Sequence, residues 1–277
     1  MSRRHYNLYN NMIEGNLNID LEVSVSADNV GKLLHLGRMN RRNMTGTNIA
    51  YCRILVDWGD GTVETVDVTP LYTNTGLQPT SFTHTYTAEG TYLVSLSQIS
   101  DKSLVRPYWF TFTKPSGTYV ELPIVKVNRF NFNGISIKSL FGGSVNPLSV
   151  THILNINIPD VNDLNSAFSG SSKFQELDIK GLSKITVPIL DLKSAFRIHK
   201  NYVFDLNQLS DNWDISQVTD VTLAFSGNQS MTGTGQTFID RLPSGVAGNE
   251  YVSAYLFENC KSLSDYDSID NIYKDNI

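Results

Sequence analysis

Residues 55–65 read LVDWGDGTVET, and residues 83–96 read THTYTAEGTYLVSL. In both stretches apolar and polar residues alternate, which is the period of a β-strand with one buried face. The dipeptide Asp60-Gly61 is typical of a tight hairpin turn between two such strands. Trp58 continues the period-two series of apolar residues before it, so its ring is expected on the same, buried face of the strand. The sequence therefore predicts a β-hairpin whose bend carries acidic side chains.

The acidic side chains of the bend have a structural and a functional interpretation. Asp57 and Asp60 can accept hydrogen bonds from backbone N–H groups around the turn, which is the use that tight turns make of Asp. Calcium binding by Asp57 and Asp60 is the first alternative, but calcium takes six or more oxygen ligands and the bend offers two carboxylates. Catalysis by this pair is the second alternative, and two Asp beside one turn do not face each other across a cleft. We therefore expect structural roles, with no metal and no cofactor.

These two stretches resemble the paired signature of the polycystic-kidney-disease (PKD) domain, in which a W-x-F-G-D-G motif precedes H-x-Y-x-x-x-G-x-Y-x-V. The resemblance covers about residues 17–105, with a longer insertion before His84 than the family motif has. It implies an immunoglobulin-like β-sandwich that serves as a non-enzymatic adhesion or spacer module. It also implies that His84 and Tyr86 tie the last strands together by side-chain hydrogen bonds. The motif positions are Trp58, Asp60, Gly61, His84, Tyr86, Gly90 and Tyr92.

The second half of the chain contains a repeated motif with a phenylalanine at its centre. The motif reads SLFGG, SAFSG, SAFRI, LAFSG and YLFEN, and its phenylalanines are spaced 27, 28, 29 and 32 residues apart. A repeat of this length is typical of solenoid proteins, in which equivalent positions of successive units meet inside. We expect these rings to stack in a continuous core: Phe141, Phe168, Phe196, Phe225 and Phe257.

Within each repeat the spacing of apolar residues predicts a short helix. Three units carry apolar residues seven, four and one positions before the Phe, which is helical spacing with one buried face. Asp163, Asp191 and Asp220 stand five positions before the Phe, where they are expected to cap the helix N-terminus. Gly or Asn stands two positions after the Phe in four units and is expected to end the helix in a left-handed conformation. Strands are expected in HILNINI, FQELDIKGL, YVFDLNQL and NWDISQV.

The unit NWDISQVTDVTLAFSGN, residues 212–228, closely resembles the W-D-[VT]-S-x-V-T-D-M-x-x-M-F signature of BspA-like leucine-rich repeats. The matching positions are Trp213, Asp214, Asp220 and Phe225. The other units keep the Asp-to-Phe spacing but lose the Trp-Asp pair. The resemblance implies a protein-binding or surface-adhesion scaffold of leucine-rich-repeat-like β/α units, as found in bacterial surface proteins and some virus-encoded proteins. It transfers no defined binding residue.

Composition narrows the classes of function. The 277 residues are 40% hydrophobic and 18% charged, with a net charge of −5, which favours a folded, mildly acidic protein and no nucleic-acid partner. The motifs G-x-S-x-G, H-E-x-x-H, G-x-x-x-x-G-K-[ST] and C-x-x-C are missing from the sequence, so we expect no enzyme. The start MSRRHYNLYNNMIEGNLNID contains no apolar segment typical of a secretion signal, and no run is apolar enough for a membrane helix.

These features predict a mainly β chain with four regions. Residues 1–16 form an N-terminal arm, 17–105 the sandwich, 106–133 a β-rich linker or cap, and 134–277 about five solenoid units. Modules of both resembled kinds act outside cells, and tailed phages decorate capsids and tails with immunoglobulin-like domains. We therefore predict a virion protein of a tailed bacteriophage that contacts other virion proteins or its own copies, and through its repeats a host-surface protein or glycan.

Two other classes of function stay open. A bacterial cell-surface adhesin fits the same modules. A carbohydrate-binding accessory module predicts a row of exposed aromatic rings, for which Tyr72, Tyr108, Trp109 and Tyr119 are the candidates. The C-terminal segment SLSDYDSIDNIYKDNI is expected to be a cap of the last repeat or a docking strand, since the end of a repeat stack must be covered.

Overall fold

The computed structural model describes residues 17–41, 52–68, 79–99, 107–112, 120–121, 123–142, 150–170, 175–197 and 202–274. This part of the chain is mainly β, as predicted. Its strands are β1 Leu17–Val25, β2 Leu34–Arg41, β3 Cys52–Asp57, β4 Val63–Val68, β5 Thr80–His84, β6 Gly90–Gln98, β7 Pro107–Thr111, β8 Val120–Glu121, β9 Ile124–Phe132, β10 His152–Ile153, β11 Ile156–Asn157 and β12 Glu176–Leu177. The helices are short: α1 Ile179–Leu182, α2 Leu206–Ser210, α3 Gly235–Ile239, and 3₁₀ turns at Ala27–Asn29, Tyr266–Ser268 and Asn271–Tyr273.

The strands form two sheets. The larger sheet has the order β12-β10-β9-β1-β6-β3-β4, with β11 also paired to β9, and the smaller has the order β5-β2-β7, with β8 paired to β2. Along β1, buried side chains alternate with partly or fully exposed ones, as the period-two pattern of LNIDLEVSV predicts. Phe110 of β7 lies 6.1 Å from Phe130 of β9, measured between ring centroids, so the two sheets pack together through aromatic rings.

The repeat region continues both sheets without a break. Strand β9 pairs in parallel with β10 and β11, and β10 pairs in parallel with β12. On the other sheet, Trp109 of β7 forms a parallel bridge to Ser136, and parallel bridges run on to Asp163, Asp191 and Asp220. The buried side chains of the sheets and of the repeats consequently belong to one hydrophobic cluster.

The helices do not lie where the apolar spacing predicted them. Asp163, Asp191 and Asp220 are bridge residues, and the chain after each of them forms a tight turn. The turn is closed by a backbone bond of the type Ala195 N–H to Leu192 C=O, three residues apart. An apolar spacing of three residues fits such a turn as well as it fits a helix, which is why the prediction was wrong.

The helices that do form follow the Phe by ten or eleven residues, and two of them begin at an Asp. Asp178 accepts a hydrogen bond from Gly181 N–H at the start of α1, and Asp205 accepts one from Asn207 N–H at the start of α2. HILNINI contains β10 and β11, and FQELDIKGL contains β12 followed by α1. YVFDLNQL contributes a single bridge at Asp205 and then α2, and the predicted strand in NWDISQV does not form.

Candidate functional site

The bend between β3 and β4 is built by backbone hydrogen bonds to its acidic side chains. Asp57 Oδ1 accepts from Gly59 N–H at 2.9 Å, and Asp60 Oδ1 accepts from Thr62 N–H at 2.9 Å. Gly59 and Gly61 both have positive φ, of 79° and 98°. Glycine is required at position 59 for a second reason, because a Cβ there would lie 2.5 Å from the carbonyl oxygen of Leu93.

A histidine from the neighbouring sheet is paired with the bend. His84 Nε2 lies 2.8 Å from Asp60 Oδ2 at the edge of the core, with side-chain exposures of 12% for His84 and 20% for Asp60. The His84 ring stacks on Trp58, with centroids 4.8 Å apart and an angle of 10° between planes. Partial burial by itself would raise the pKa of Asp60, but hydrogen bonds from His84 and Thr62 outweigh it, and the pKa is lowered. The pair therefore links the end of β5 to the bend.

The tyrosines of the second motif complete an aromatic cluster around this pair. Tyr86 donates its hydroxyl hydrogen to the carbonyl oxygen of Trp58 at 3.0 Å and is fully buried. Burial raises the pKa of Tyr86, and the nearby carboxylate of Asp60 adds to the effect. Tyr92 stacks on Tyr86 at 4.3 Å, just after Gly90 begins β6. The ring of Trp58 is fully buried, and its Nε1–H donates to Glu64 at 2.8 Å.

The carboxylates of the bend are thus engaged by the protein itself. Asp60 is held on both oxygens, by Thr62 and by His84, and Asp57 is held by Gly59. Among the described residues, no group of three or more His, Cys, Asp or Glu side chains lies close enough to hold a metal ion. Through these contacts the bend holds β3, β4 and β5 together.

The phenylalanines of the repeat form a column of stacked rings. Successive centroids from Phe141 to Phe257 are 6.2, 5.2, 5.5 and 5.8 Å apart, and the last three pairs have interplanar angles of 15°, 9° and 13°. None of the five rings is more than 4% exposed. Phe112, just beyond β7, extends the column by stacking on Phe141 at 5.0 Å. The spacing of the motif thus predicted the column correctly, and the column begins inside the two-sheet region.

Backbone bonds join neighbouring units beside this column. The N–H groups of the first four Phe each donate to a carbonyl of the next unit, as in Phe168 to Ala195 and Phe196 to Ala224, both at 2.8 Å. The residue two positions before each Phe has a positive φ between 53° and 58°, which resembles the third residue of a type II turn. These residues are Ser139, Ser166, Ser194, Leu223 and Tyr255. We call the row of turns the turn ladder.

The aspartates of the turn ladder stabilise each turn and join it to its neighbour. Asp191 Oδ1 accepts from Lys193 N–H at 2.8 Å, and Asp191 Oδ2 accepts from Asn165 Nδ2 at 3.0 Å, one unit away. Asp220 bonds Thr222 N–H in the same way and pairs with Lys193 Nζ at 3.1 Å. Gly170, Gly227 and Asn259 stand two positions after a Phe and have the left-handed conformation that was predicted for them. No helix ends at these residues, contrary to the prediction. Gly143, the fourth such residue, lies outside the described residues.

The pair Trp213 and Asp214 of the unit at residues 212–228 is divided between the core and the surface. Trp213 is fully buried and donates its Nε1–H to the carbonyl oxygen of Leu182 at 2.9 Å. Asp214 is exposed and accepts from Ser216 N–H at 3.0 Å, and hydrogen bonding to Ser216 lowers the pKa of Asp214. The pair therefore joins its unit to the preceding one through the Trp and closes a local turn through the Asp.

Two interior polar residues were not anticipated from the sequence. Asn228 and Cys260 both stand three positions after a Phe, and each donates to the carbonyl oxygen of the preceding unit's Phe. Asn228 Nδ2 donates to Phe196 at 2.7 Å, and Cys260 Sγ donates to Phe225 at 3.0 Å. Burial raises the pKa of the Cys260 thiol to about 12. The position three residues after the Phe, which Asn228 and Cys260 share, could have indicated these roles. Within the described residues, only these two units have such a donor at that position.

Of the four aromatic candidates for glycan binding, Tyr108 and Trp109 lie in the described part of the chain. Trp109 is partly exposed, donates its Nε1–H to the carbonyl oxygen of Lys138 at 2.9 Å, and has the Arg38 guanidinium 5.6 Å from its ring centroid. Tyr108 is also partly exposed. Tyr72 and Tyr119 lie outside the described residues.

The C-terminal segment covers the last unit. Tyr255 N–H donates to Ile272 C=O at 3.0 Å and Phe257 N–H donates to Tyr273 C=O at 2.8 Å, so the segment takes the place of a further unit on the turn ladder. Ile269 and Tyr273 are buried at that end. Of the two roles predicted for this segment, the structure shows the cap.

Comparisons with protein-family models, with curated proteins and with solved structures found no match for this chain. Among the helices in the described residues, none has the length and apolar character needed to cross a membrane.

Proposed function

We propose that this chain is a non-enzymatic structural protein of a tailed bacteriophage virion, associated with the capsid or the tail. The observation that carries the proposal is the continuous core, in which both sheets and all repeat units share backbone bonds and one column of rings. A core shared by successive units stiffens the stack, which suits a protein that attaches at one end and makes contacts along its repeats. The step from this shape to a virion rests on the resemblances to the PKD and BspA-like families.

The attachment region in this proposal is an immunoglobulin-like sandwich with the N-terminal arm. Two packed sheets with mainly antiparallel pairing, and the tie of His84 and Tyr86 to the bend, support the sandwich. The repeat region in this proposal is a leucine-rich-repeat-like solenoid. One tight turn and one Phe in each unit support it, with a bridge residue in the first four units and the donors at Asn228 and Cys260 in the last two.

The repeat region supplies the contact surface in this proposal. It carries the excess of acid, because residues 134–277 hold 16 of the 27 acidic and 10 of the 22 basic residues of the chain. We therefore expect the repeat region to bind a positively charged surface, on a partner protein or on a host-surface molecule.

The proposal is tested by mass spectrometry of purified virions from the source, with immunogold electron microscopy to locate the chain on capsid or tail. Peptides of this chain at a constant ratio to the major capsid protein are expected. Absence from virions, with recovery in a bacterial cell-surface fraction, would replace the proposal by the adhesin class. Binding to a glycan array that is lost in Trp109→Ala would favour the carbohydrate-binding class.

A further inference from the structure

Strand β4 lies at one end of the larger sheet. It pairs with β3 along its whole length, from Val63 to Val68, and no other strand in the described part of the chain pairs with it. Four of its six residues are exposed, among them Val63 at 50%, and only Val68 is buried. The outer side of β4 is therefore a strand edge that a partner can reach.

The hydrogen bonds of β3 show which backbone groups point towards this edge. In an antiparallel pair, alternate residues direct both backbone groups towards the same neighbouring strand. Ile99 N–H donates to Arg53 C=O at 2.9 Å, so the odd-numbered residues of β3 face β6 and the even-numbered residues face β4. The bond from Trp58 N–H to Thr62 C=O, at 3.0 Å, agrees with this assignment. The even-numbered residues of β4 are consequently bonded to β3, and the odd-numbered residues point outward.

Three residues of β4 thus direct a backbone N–H and C=O away from the sheet: Val63, Thr65 and Asp67. Their N–H groups donate no hydrogen bond to the described residues. Native edges are usually protected by Pro, by Lys, by a bulge or by short length. Strand β4 reads VETVDV, is six residues long, pairs with β3 without a register shift, and has four β-branched residues. An edge of this kind is a template for another strand.

The two carboxylates of β4 are held by the protein itself. Glu64 accepts from Trp58 Nε1–H at 2.8 Å, and Asp67 pairs with Arg53 Nε at 2.7 Å. The Arg53 guanidinium therefore offsets the charge of Asp67 on the outward face of the strand. Repulsion between carboxylates depends on which residues a second strand sets opposite them.

A second copy of β4 fits this edge in one antiparallel register. With Thr65 opposite Thr65 of the second copy, Val63 lies opposite Asp67, and the outward residues form about six backbone hydrogen bonds. A Thr–Thr pair is favourable across strands, and no carboxylate lies opposite another. Of the two neighbouring registers, one sets Glu64 opposite Glu64, and the other leaves Val63 without a partner in the strand.

We propose that β4 pairs with β4 of a second copy of this chain about a twofold axis, which joins the two larger sheets into one. A second copy is the favoured partner because the strand satisfies its own edge without opposing like charges. The inference concerns the purified protein and stands without the proposed function. If both hold, neighbouring copies on a particle are joined through β4.

The first test is sedimentation equilibrium of the full chain. A single strand pair makes a small interface, so the concentrations extend to about 200 µM, where we expect a reversible dimer. Thr65→Pro removes an outward N–H at a position where an edge strand tolerates Pro, and it is expected to abolish the dimer. Thr65→Val keeps the N–H and is expected to keep the dimer. A monomer at every concentration, or a dimer that survives Thr65→Pro, would overturn the proposal.

The second test traps the register with a disulfide and does not depend on the folding of the Pro variant. Thr65→Cys places two thiols on residues whose Cα atoms lie about 5.5 Å apart in the dimer, within disulfide range. Val63→Cys is the matched control, because its Cα atoms lie about 14 Å apart. The native Cys52 and Cys260 are buried. Under mild oxidation we expect covalent dimer from Thr65→Cys only, and equal yields or none from either variant would overturn the proposal.

A third variant tests the cross-strand pair of Val63 with Asp67. Val63→Lys sets a cation opposite Asp67 of the second copy twice in each dimer, and it is expected to tighten association about fivefold. Leu93→Lys makes the same change in net charge at a residue that is 62% exposed on β6, away from the edge, and is expected to leave the dissociation constant unchanged. Equal effects of the two variants would refute the register.

Discussion

The column of rings can be tested by removing one ring from its middle. Phe196 is fully buried and lies between Phe168 at 5.2 Å and Phe225 at 5.5 Å, stacked on both. Replacing a buried Phe by Ala costs about 3–5 kcal/mol of unfolding free energy. Because each stacked pair contributes about 0.5–1.5 kcal/mol beyond its buried area, Phe196→Ala is expected near the top of that range, at about 4–5 kcal/mol.

The measurement is urea unfolding followed by fluorescence and circular dichroism. With a slope of about 2.5–3 kcal/mol per molar urea, the midpoint is expected to fall by about 1.5–2 M. Phe196→Leu keeps most of the volume and is expected to cost about 1.5 kcal/mol. Val203→Ala, at an exposed position, is expected to change stability by less than about 0.5 kcal/mol. A cost for Phe196→Ala close to that of Val203→Ala would refute the stacked core.

Three further predictions concern the bend and the interior polar groups. Gly59→Ala is expected to cost about 3 kcal/mol or more of unfolding free energy, because its Cβ would collide with the carbonyl oxygen of Leu93. Gly61→Ala has open space around its Cβ and is expected to cost about 1–2 kcal/mol from its positive φ alone. Equal costs of the two variants by urea unfolding would contradict the close approach of Gly59 to Leu93. The lowered pKa of Asp60 implies stability that is present above the unfolded value of about 3.9 and lost as the pH falls through the folded value. The difference in urea midpoint between the wild type and Asp60→Asn is therefore expected to shrink as the pH falls from 5 to below about 4, and a constant difference from pH 5 down to pH 3 would refute it. Asn228→Ala leaves the carbonyl oxygens of Phe196 and Phe225 without this donor, and it is expected to cost about 2–3 kcal/mol, against less than about 0.5 kcal/mol for the exposed Gln229→Ala.

The sequence was sufficient to predict the features that depend on one residue type at a fixed spacing. The bend followed from Asp60-Gly61 between alternating stretches, and the structure places Trp58 and Tyr86 in the core beside it. The ring column followed from five phenylalanines at nearly equal intervals, since equivalent positions of stacked units meet.

The local shape around each Phe could not be predicted in the same way. Apolar residues three apart fit a helix and a tight turn equally, and the sequence gives no sign that Ser194 or Leu223 adopts a positive φ. That conformation is unfavourable for a residue with a side chain, and the backbone bonds to the two neighbouring units stabilise it. Because those bonds come from other units, inspection of one repeat does not reveal them.

The pairing of the two sheets with the repeat units could not be predicted from the sequence either. Trp109 and Ser136 join the smaller sheet to the turn ladder, and β9 and β10 join the larger sheet to the same units. A pattern of alternation identifies a strand but not its neighbour, so the pairing of a sheet strand with a repeat unit appears only in three dimensions.

The most direct test of the ring column is a nuclear Overhauser measurement on protein labelled only in the phenylalanine rings, with Phe→Leu variants for assignment. Ring protons of Phe196 are expected to show cross-peaks to those of both Phe168 and Phe225, because the centroids are 5.2 and 5.5 Å apart. A Phe196 ring that shows neither cross-peak, or that exchanges magnetisation with water instead, would contradict the stacking of the rings.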